Sequence, residues 1–251
     1  MKRQQVLIAP IFFDSTSFYI KEKLLEEGIP FVLKDKQVYL PFIGYLLSNE
    51  NERKISPVHL ISFLTQKVIL VAIYEKWENV TASKAAIRLG VTKMSANRCF
   101  DEIEYLNVDI LGMKGKSRVI TVPADIQKLW NDVRVILRNP VIARYELKED
   151  IQLGKKAGIT ALCEYSLLSD NEYPTYAITK KEITESGIRK MKQVHSGEEI
   201  GCVVLELGYF IDFKNKKLED PLSVTLSLTE SEKQDERIGI SIKRMLEEYV
   251  W

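Results

Sequence analysis

Between Thr81 and Val122 the hydrophobic pattern changes period twice, from two short helical repeats to two strand-like runs. Ala82, Ala85, Ala86 and Leu89 recur at the three- and four-residue spacing of a helix face. Thr81 is placed to cap this helix, and Gly90 to accept the left-handed conformation that ends it. After a turn around Val91, Thr92 caps a second helix. Its Ala96, Cys99 or Phe100, Ile103 and Leu106 form one apolar stripe. Val108–Leu111 and Val119–Val122 then read as strands joined by Gly112–Arg118, with Gly115 supplying the turn. Helix, turn, helix and hairpin in this order predict a winged helix-turn-helix.

The flanking pattern is mixed. Upstream it predicts a strand at Val6–Ala9, a helix at Ser15–Glu27 with Phe18, Ile20, Leu24 and Leu25 on its apolar face, and strands at Pro30–Leu33 and Gln37–Pro41. The polar run Ser48–Lys54 reads as a linker. Ser56-Pro57 reads as the start of a long helix reaching Trp77. Downstream, Ile126, Leu129, Trp130, Val133, Ile136 and Leu137 predict a helix that stops before Asn139-Pro140. Strands follow at Val141–Leu147, Tyr173–Ile178 and within Gly201–Phe213, with a helix at Gly158–Leu168. A last helix is expected at Ser231–Tyr249, with Ile238, Ile242, Met245, Leu246 and Tyr249 on one face. The expected fold is α+β: a small N-terminal α/β unit over 1–54, a central winged helix-turn-helix over 55–123 and a C-terminal α+β domain over 124–251.

Charge sharpens this picture. With 36 Lys and Arg against 35 Asp and Glu, the chain is nearly neutral, so affinity for nucleic acid must come from a local patch. Such a patch is concentrated in the predicted motif. Ser95, Asn97 and Arg98, near the start of its second helix, are candidates for reading base edges in the major groove, where Asn and Arg pair bidentately with adenine and guanine. Thr92 and Lys93 on that helix, with Lys114, Lys116 and Arg118 on the wing, are candidates for holding phosphates. Double-stranded DNA is therefore the expected ligand. Winged helices also serve as protein-interaction modules, which leaves a protein partner open.

Catalytic chemistry is not apparent in the sequence. His59 and His195 stand far apart with no Ser or Cys elbow and no HExxH spacing, and neither a P-loop nor a GxGxxG occurs. Asp14, Asp35 and Lys36 lack the spacing of a metal-dependent nuclease, and Asp212 and Asp220 that of a nucleotidyltransferase pair. No enzyme activity, cofactor or metal is expected. Cys99, Cys163 and Cys202 are scattered without CxxC spacing and read as reduced thiols of a cytoplasmic protein. The opening MKRQQVLIAPIFFDSTSF mimics a signal peptide, but its apolar part is short and meets Asp14 early, so a buried strand is expected. Nothing predicts a membrane span. Lys180, Lys181, Arg189, Lys190 and Lys192 read as a solvated face, because Glu182 and Glu185 interrupt them. Leu162, Tyr165 and Leu168 read as core.

Two flanking phrases carry a resemblance. GIPFVLKDKQVYLPFIG, Gly28 to Gly44, resembles the opening of bacterial winged-helix proteins grouped with MarR-like regulators. KAGITALCEYSLLSDNEYPTYAITKKEI, Lys156 to Ile183, with DPLSVTLSL at Asp220–Leu228 and the closing Trp251, is similar to the C-terminal domain of the AbiEi class of antitoxin and autorepressor. The resemblance implies a prokaryotic transcriptional regulator, a repressor that occludes a promoter. It also implies a second role as an antitoxin that binds a toxin through its C-terminal domain, and leaves a homodimer open. The order of parts differs from a simple antitoxin, since an α/β unit of about fifty residues precedes the winged helix, a length typical of a module.

Overall fold

A computed structural model describes residues 9–14, 16, 18–34, 37–43, 45–48, 60–169, 173–191, 193–195, 197–214 and 217–251. Among these the chain is a mixed α+β protein with ten α-helices and three small sheets. It divides into two units, residues 1–57 with 113–117, and residues 58–112 with 118–251.

The first unit contains β1 (Ile11–Phe13), α1 (Phe18–Glu26), β2 (Phe31–Leu33), β3 (Gln37–Leu40) and β4 (Tyr45–Ser48). β1 and β2 run parallel, with α1 as the crossover that parallel pairing requires. β3 and β4 extend the sheet by antiparallel pairing. Leu24, Phe31 and Leu33 make the core, and Phe13, Leu25, Ile29 and Tyr39 pack against it. Of the expected strand Val6–Ala9 only Ala9 is among the described residues, and β1 is a strand that the pattern does not predict. Ser48, expected to open a linker, instead pairs with Gln37 at the end of β4. The remainder of that expected linker, and Ser56-Pro57, lie outside the described residues. So do the side chains of Phe18 and of β4.

The second unit opens with α2 (Phe63–Glu75), followed by β5 (Val80–Thr81), α3 (Ala82–Leu89), α4 (Lys93–Tyr105), β6 (Leu111–Lys114), β7 (Ser117–Ile120) and α5 (Ile126–Val133). The tip of the β6–β7 hairpin, residues 113–117, groups with the first unit. α2 is shorter than expected. Ser62 caps it by accepting the Thr65 N–H, and Lys76, with φ 47°, ends it. The hairpin register is displaced from the expected strands: β6 begins at Leu111, and a two-residue turn at Gly115 and Lys116 replaces the longer loop. Val108 and Ile110, expected in the first strand, are buried just before it. Pairing with β5, Val80 to Ile120 and Thr81 to Val119, closes a three-stranded sheet in the order β5-β7-β6.

The chain continues through β8 (Val141–Leu147), β9 (Lys155–Lys156), α6 (Gly158–Tyr165), β10 (Thr175–Ile178), α7 (Lys180–Ser186), β11 (Cys202–Leu207), α8 (Pro221–Ser227), α9 (Glu230–Lys233) and α10 (Glu236–Tyr249). The four strands form a sheet in the order β8-β11-β10-β9, in which only β10 and β11 are parallel. The single helix expected at Ser231–Tyr249 is two, because Asp235 caps a fresh start by accepting the Arg237 N–H.

The expected boundary at 123/124 does not coincide with a break in the core. One apolar cluster joins Ile69 and Ile73 of α2 and Phe100 and Ile103 of α4 to Leu162 of α6, Leu222 of α8 and Met245 of α10. The reason lies in α2, where every residue from Val68 to Ile73 is buried. A helix apolar on all sides must be covered on all sides. α3 and α4 cannot do that alone. Gln66 ties α2 to the C-terminal part by donating to Arg138 O and Tyr209 Oη, both at 2.9 Å, and Tyr74 does so by donating to Asp220 at 2.7 Å.

Candidate nucleic-acid interface

The α3–α4 pair forms as the residue pattern predicts. Thr81 accepts the Lys84 N–H at the start of α3. At its end Gly90 takes φ 66° and ψ 34°, while the N–H groups of Gly90 and Val91 return to Ile87 O and Ala86 O. This crossed pair of bonds satisfies the last carbonyls of α3 and reverses the chain within three residues. A side chain at Gly90 would be strained by the left-handed backbone. Thr92 then accepts the Ser95 N–H at 3.1 Å, starting α4. Ala85 and Ala86 of α3 and Ala96, Cys99, Phe100 and Ile103 of α4 are buried, which fixes the opposite face of α4 outward.

That outward face carries Lys93, Met94 and Arg98, all exposed, and half-buried Asn97. Among the described residues no hydrogen bond or ion pair engages the side chains of Lys93, Asn97 or Arg98. The acidic residues of α4 lie further along and are occupied. Ser62 N–H donates to Glu102 at 3.0 Å, while Asp101 and Glu104 hold Arg118 at 2.6 and 2.8 Å. The N-terminal half of α4 therefore presents unpaired cationic and amide groups beside the positive end of the helix dipole, a favourable setting for phosphate. On the neighbouring helix Arg88 is paired with Glu75, which also accepts from the Trp77 indole.

Three of the sequence candidates occupy different surroundings from the rest. Ser95 is half-buried, and its hydroxyl stands 2.9 Å from Thr92 Oγ1, so both side chains serve the helix cap. Arg118 is only 15% exposed, bonded to Asp101 and Glu104, with its guanidinium 5.9 Å from the Phe100 ring centre. It clamps β7 to α4. A sequence pattern that counts basic residues in a wing cannot separate an arginine paired inward from one that is free. Lys114 and Lys116, by contrast, are exposed on either side of Gly115.

A second polar cluster has no counterpart among the sequence expectations. Glu219 and Asp220 are each 2% exposed. Glu219 Oε2 accepts the Gly158 N–H at 3.0 Å and the Ser227 hydroxyl at 3.3 Å, while Oε1 has no hydrogen-bond partner among the described residues. Asp220 accepts from Tyr74 and from the Ser223 N–H, and so caps α8. Loss of hydration pushes the Glu219 carboxyl up to about 8, and the neighbouring Asp220 adds to the rise. Asp220 is raised by burial as well, against the pull of its Tyr74 and Ser223 bonds. Burial likewise raises the Tyr74, Tyr165 and Tyr209 phenols and the Cys99 thiol. The Asp-Pro pair at 220–221 is a readable helix start. The enclosure of Glu219 beside it is not readable.

The remaining candidates are dispersed. His195 is exposed, and its backbone N–H donates to Glu198, whereas His59, Asp35 and Lys36 lie outside the described residues. Asp212 is exposed and pairs with Lys155. Arg189 reaches Glu206 and Lys181 reaches Glu185, so the basic stretch at 180–190 is partly paired. Among the described residues no group of three or more His, Cys, Asp or Glu is placed to hold a metal, and no helix is long and apolar enough to cross a membrane. The three cysteines are thiols: Cys99 and Cys202 are buried, and Cys163 donates to Ser169 O at 3.3 Å. A groove of about 580 Å³ runs between the end of α6 and α10, lined by Leu168, Ile238 and Arg244 and by Leu167 and Ile240, which are 82% and 63% exposed.

No family model, no curated protein and no solved structure matches the chain.

Proposed function

We propose that this chain is a sequence-specific double-stranded-DNA-binding transcriptional regulator that represses by occupying a promoter. The observation that carries the reading is the capped α3–turn–α4 pair, with Lys93, Asn97 and Arg98 on its outward face and without side-chain partners among the described residues. Asn97 and Arg98 read base edges, Lys93 holds phosphate, and Lys114 and Lys116 of the wing hold backbone phosphates. Because net charge is only +1, binding rests on these groups and not on a general cationic field.

Selection of duplexes from random DNA by the purified full chain, followed by fluorescence anisotropy, tests the reading. Arg98→Ala is expected to cost about 1–3 kcal/mol on the selected sequence and little on random DNA. Lys116→Ala should weaken both alike and flatten the salt dependence by about one ion. Equal losses from Arg98→Ala on the two DNAs would remove its base-reading role. A chain that selects no sequence at all would remove the regulator reading.

A second reading has its own support. The exposed Leu167 and Ile240 beside the α6–α10 groove suit a protein partner, such as a toxin held by the C-terminal region. Leu167→Asp with Ile240→Asp should abolish co-purification of a neighbouring gene product while leaving DNA affinity unchanged.

A further inference from the structure

Met94 has no role in the core and none in the cap. It follows Lys93 in the first turn of α4 and is 67% exposed, although thioether side chains ordinarily fill apolar gaps. Its direction is fixed by its neighbours. Successive helical residues rotate by about 100°, which places Asn97 about 60° to one side of Met94 and Arg98 about 40° to the other. Ser95 is turned about 100° away and is tied to Thr92. Met94 therefore stands at the centre of the outward arc, between the two side chains that carry hydrogen-bonding capacity, with Lys93 about 100° away on the Asn97 side. The charges nearest it on the helix, Lys93 and Arg98, are cationic, and the acidic residues Asp101, Glu102 and Glu104 lie further along, where they engage Arg118 and the Ser62 N–H. An apolar centre in a cationic rim is complementary to the major groove. There the one apolar group on an unmodified base edge is the thymine 5-methyl.

We propose that Met94 is a specificity-determining residue which packs against a thymine 5-methyl group in the DNA bound by α4, so that the preferred site carries thymine within the base pairs spanned by Asn97 and Arg98. This rests on the DNA-binding reading above. Burying one methyl against Met94 predicts a three- to fivefold effect on affinity, about that of one methyl group removed from water.

The test uses a duplex selected from random DNA by the full chain, together with copies in which each thymine in turn is replaced by uracil, which removes the 5-methyl and leaves the hydrogen-bonding edge intact. The wild type should lose three- to fivefold in affinity at one or two positions. Met94→Ala should bind the thymine duplex correspondingly more weakly and show no further loss with uracil at those positions. The exposed position of Met94 keeps folding out of the comparison, which matching urea midpoints would verify. Wild-type binding that is indifferent to uracil everywhere, or Met94→Ala retaining the full uracil penalty, overturns the assignment to Met94 while leaving DNA binding intact. A wild type that retains no duplex overturns both.

Discussion

Glu219→Gln tests how the buried carboxylate pair sets the stability of the second unit. In the folded chain the Glu219 carboxyl, deprived of water, holds its proton up to about pH 8, against 4.5 for an ordinary glutamate. Between these values the folded state binds a proton that the unfolded chain has released. The associated stability is fully present below about 4.5 and is lost as pH rises through 8, at up to about 1.4 kcal/mol per pH unit. From pH 5 to pH 8 this amounts to about 4 kcal/mol. Asp220, also raised, acts in the same direction. The substituted glutamine side chain is neutral at every pH and keeps an oxygen for the Gly158 N–H and the Ser227 hydroxyl, but it turns an amide toward the unpartnered Oε1 position, a fixed cost of about 1–3 kcal/mol. The variant should therefore be slightly less stable than wild type at pH 5 and more stable at pH 8. Urea unfolding followed by the fluorescence of Trp77 and Trp130, both buried in the shared core, measures this across the pH range. A wild-type stability that is flat or rising from pH 5 to 8, with Glu219→Gln parallel to it, would refute the account.

Arg118→Ala should weaken binding to specific and random DNA alike by exposing the carboxylates of Asp101 and Glu104 on α4, and adding Asp101→Asn with Glu104→Gln should restore it. Failure of the added changes to restore affinity would mean that Arg118 contacts phosphate itself. Gly154→Ala should destabilise the chain by more than about 3 kcal/mol, because φ is 89° and a Cβ there would collide with the Ala177 carbonyl oxygen, so backbone and not only a side chain must yield. An unchanged urea midpoint would show that the β9–β10 region relaxes freely.

Legibility in the sequence follows the range of the interactions. Both ends of α3 and the start of α4 are readable to the residue because Thr81, Gly90 and Thr92 act on groups within a few positions of themselves. The start of α2 is not, because Ser62 resembles any other serine until Thr65 is seen to donate to it. The hairpin register is displaced because Val108 and Ile110 have strand propensity but enter the core before pairing begins. Composition groups Ser95 and Arg118 with the exposed polar residues, although their partners, Thr92 in one case and Asp101 with Glu104 in the other, decide where they point.

The sequence by itself determined the local elements of the α3–turn–α4 module, since helix periodicity and capping are written in neighbouring residues. Tertiary structure alone decided that α2 shares one core with α6, α8 and α10, that Arg118 is paired inward, and that Glu219 and Asp220 are enclosed together. Each of these depends on burial between segments far apart in the chain, and loss of water, which sets both packing and charge, has no signature in local order.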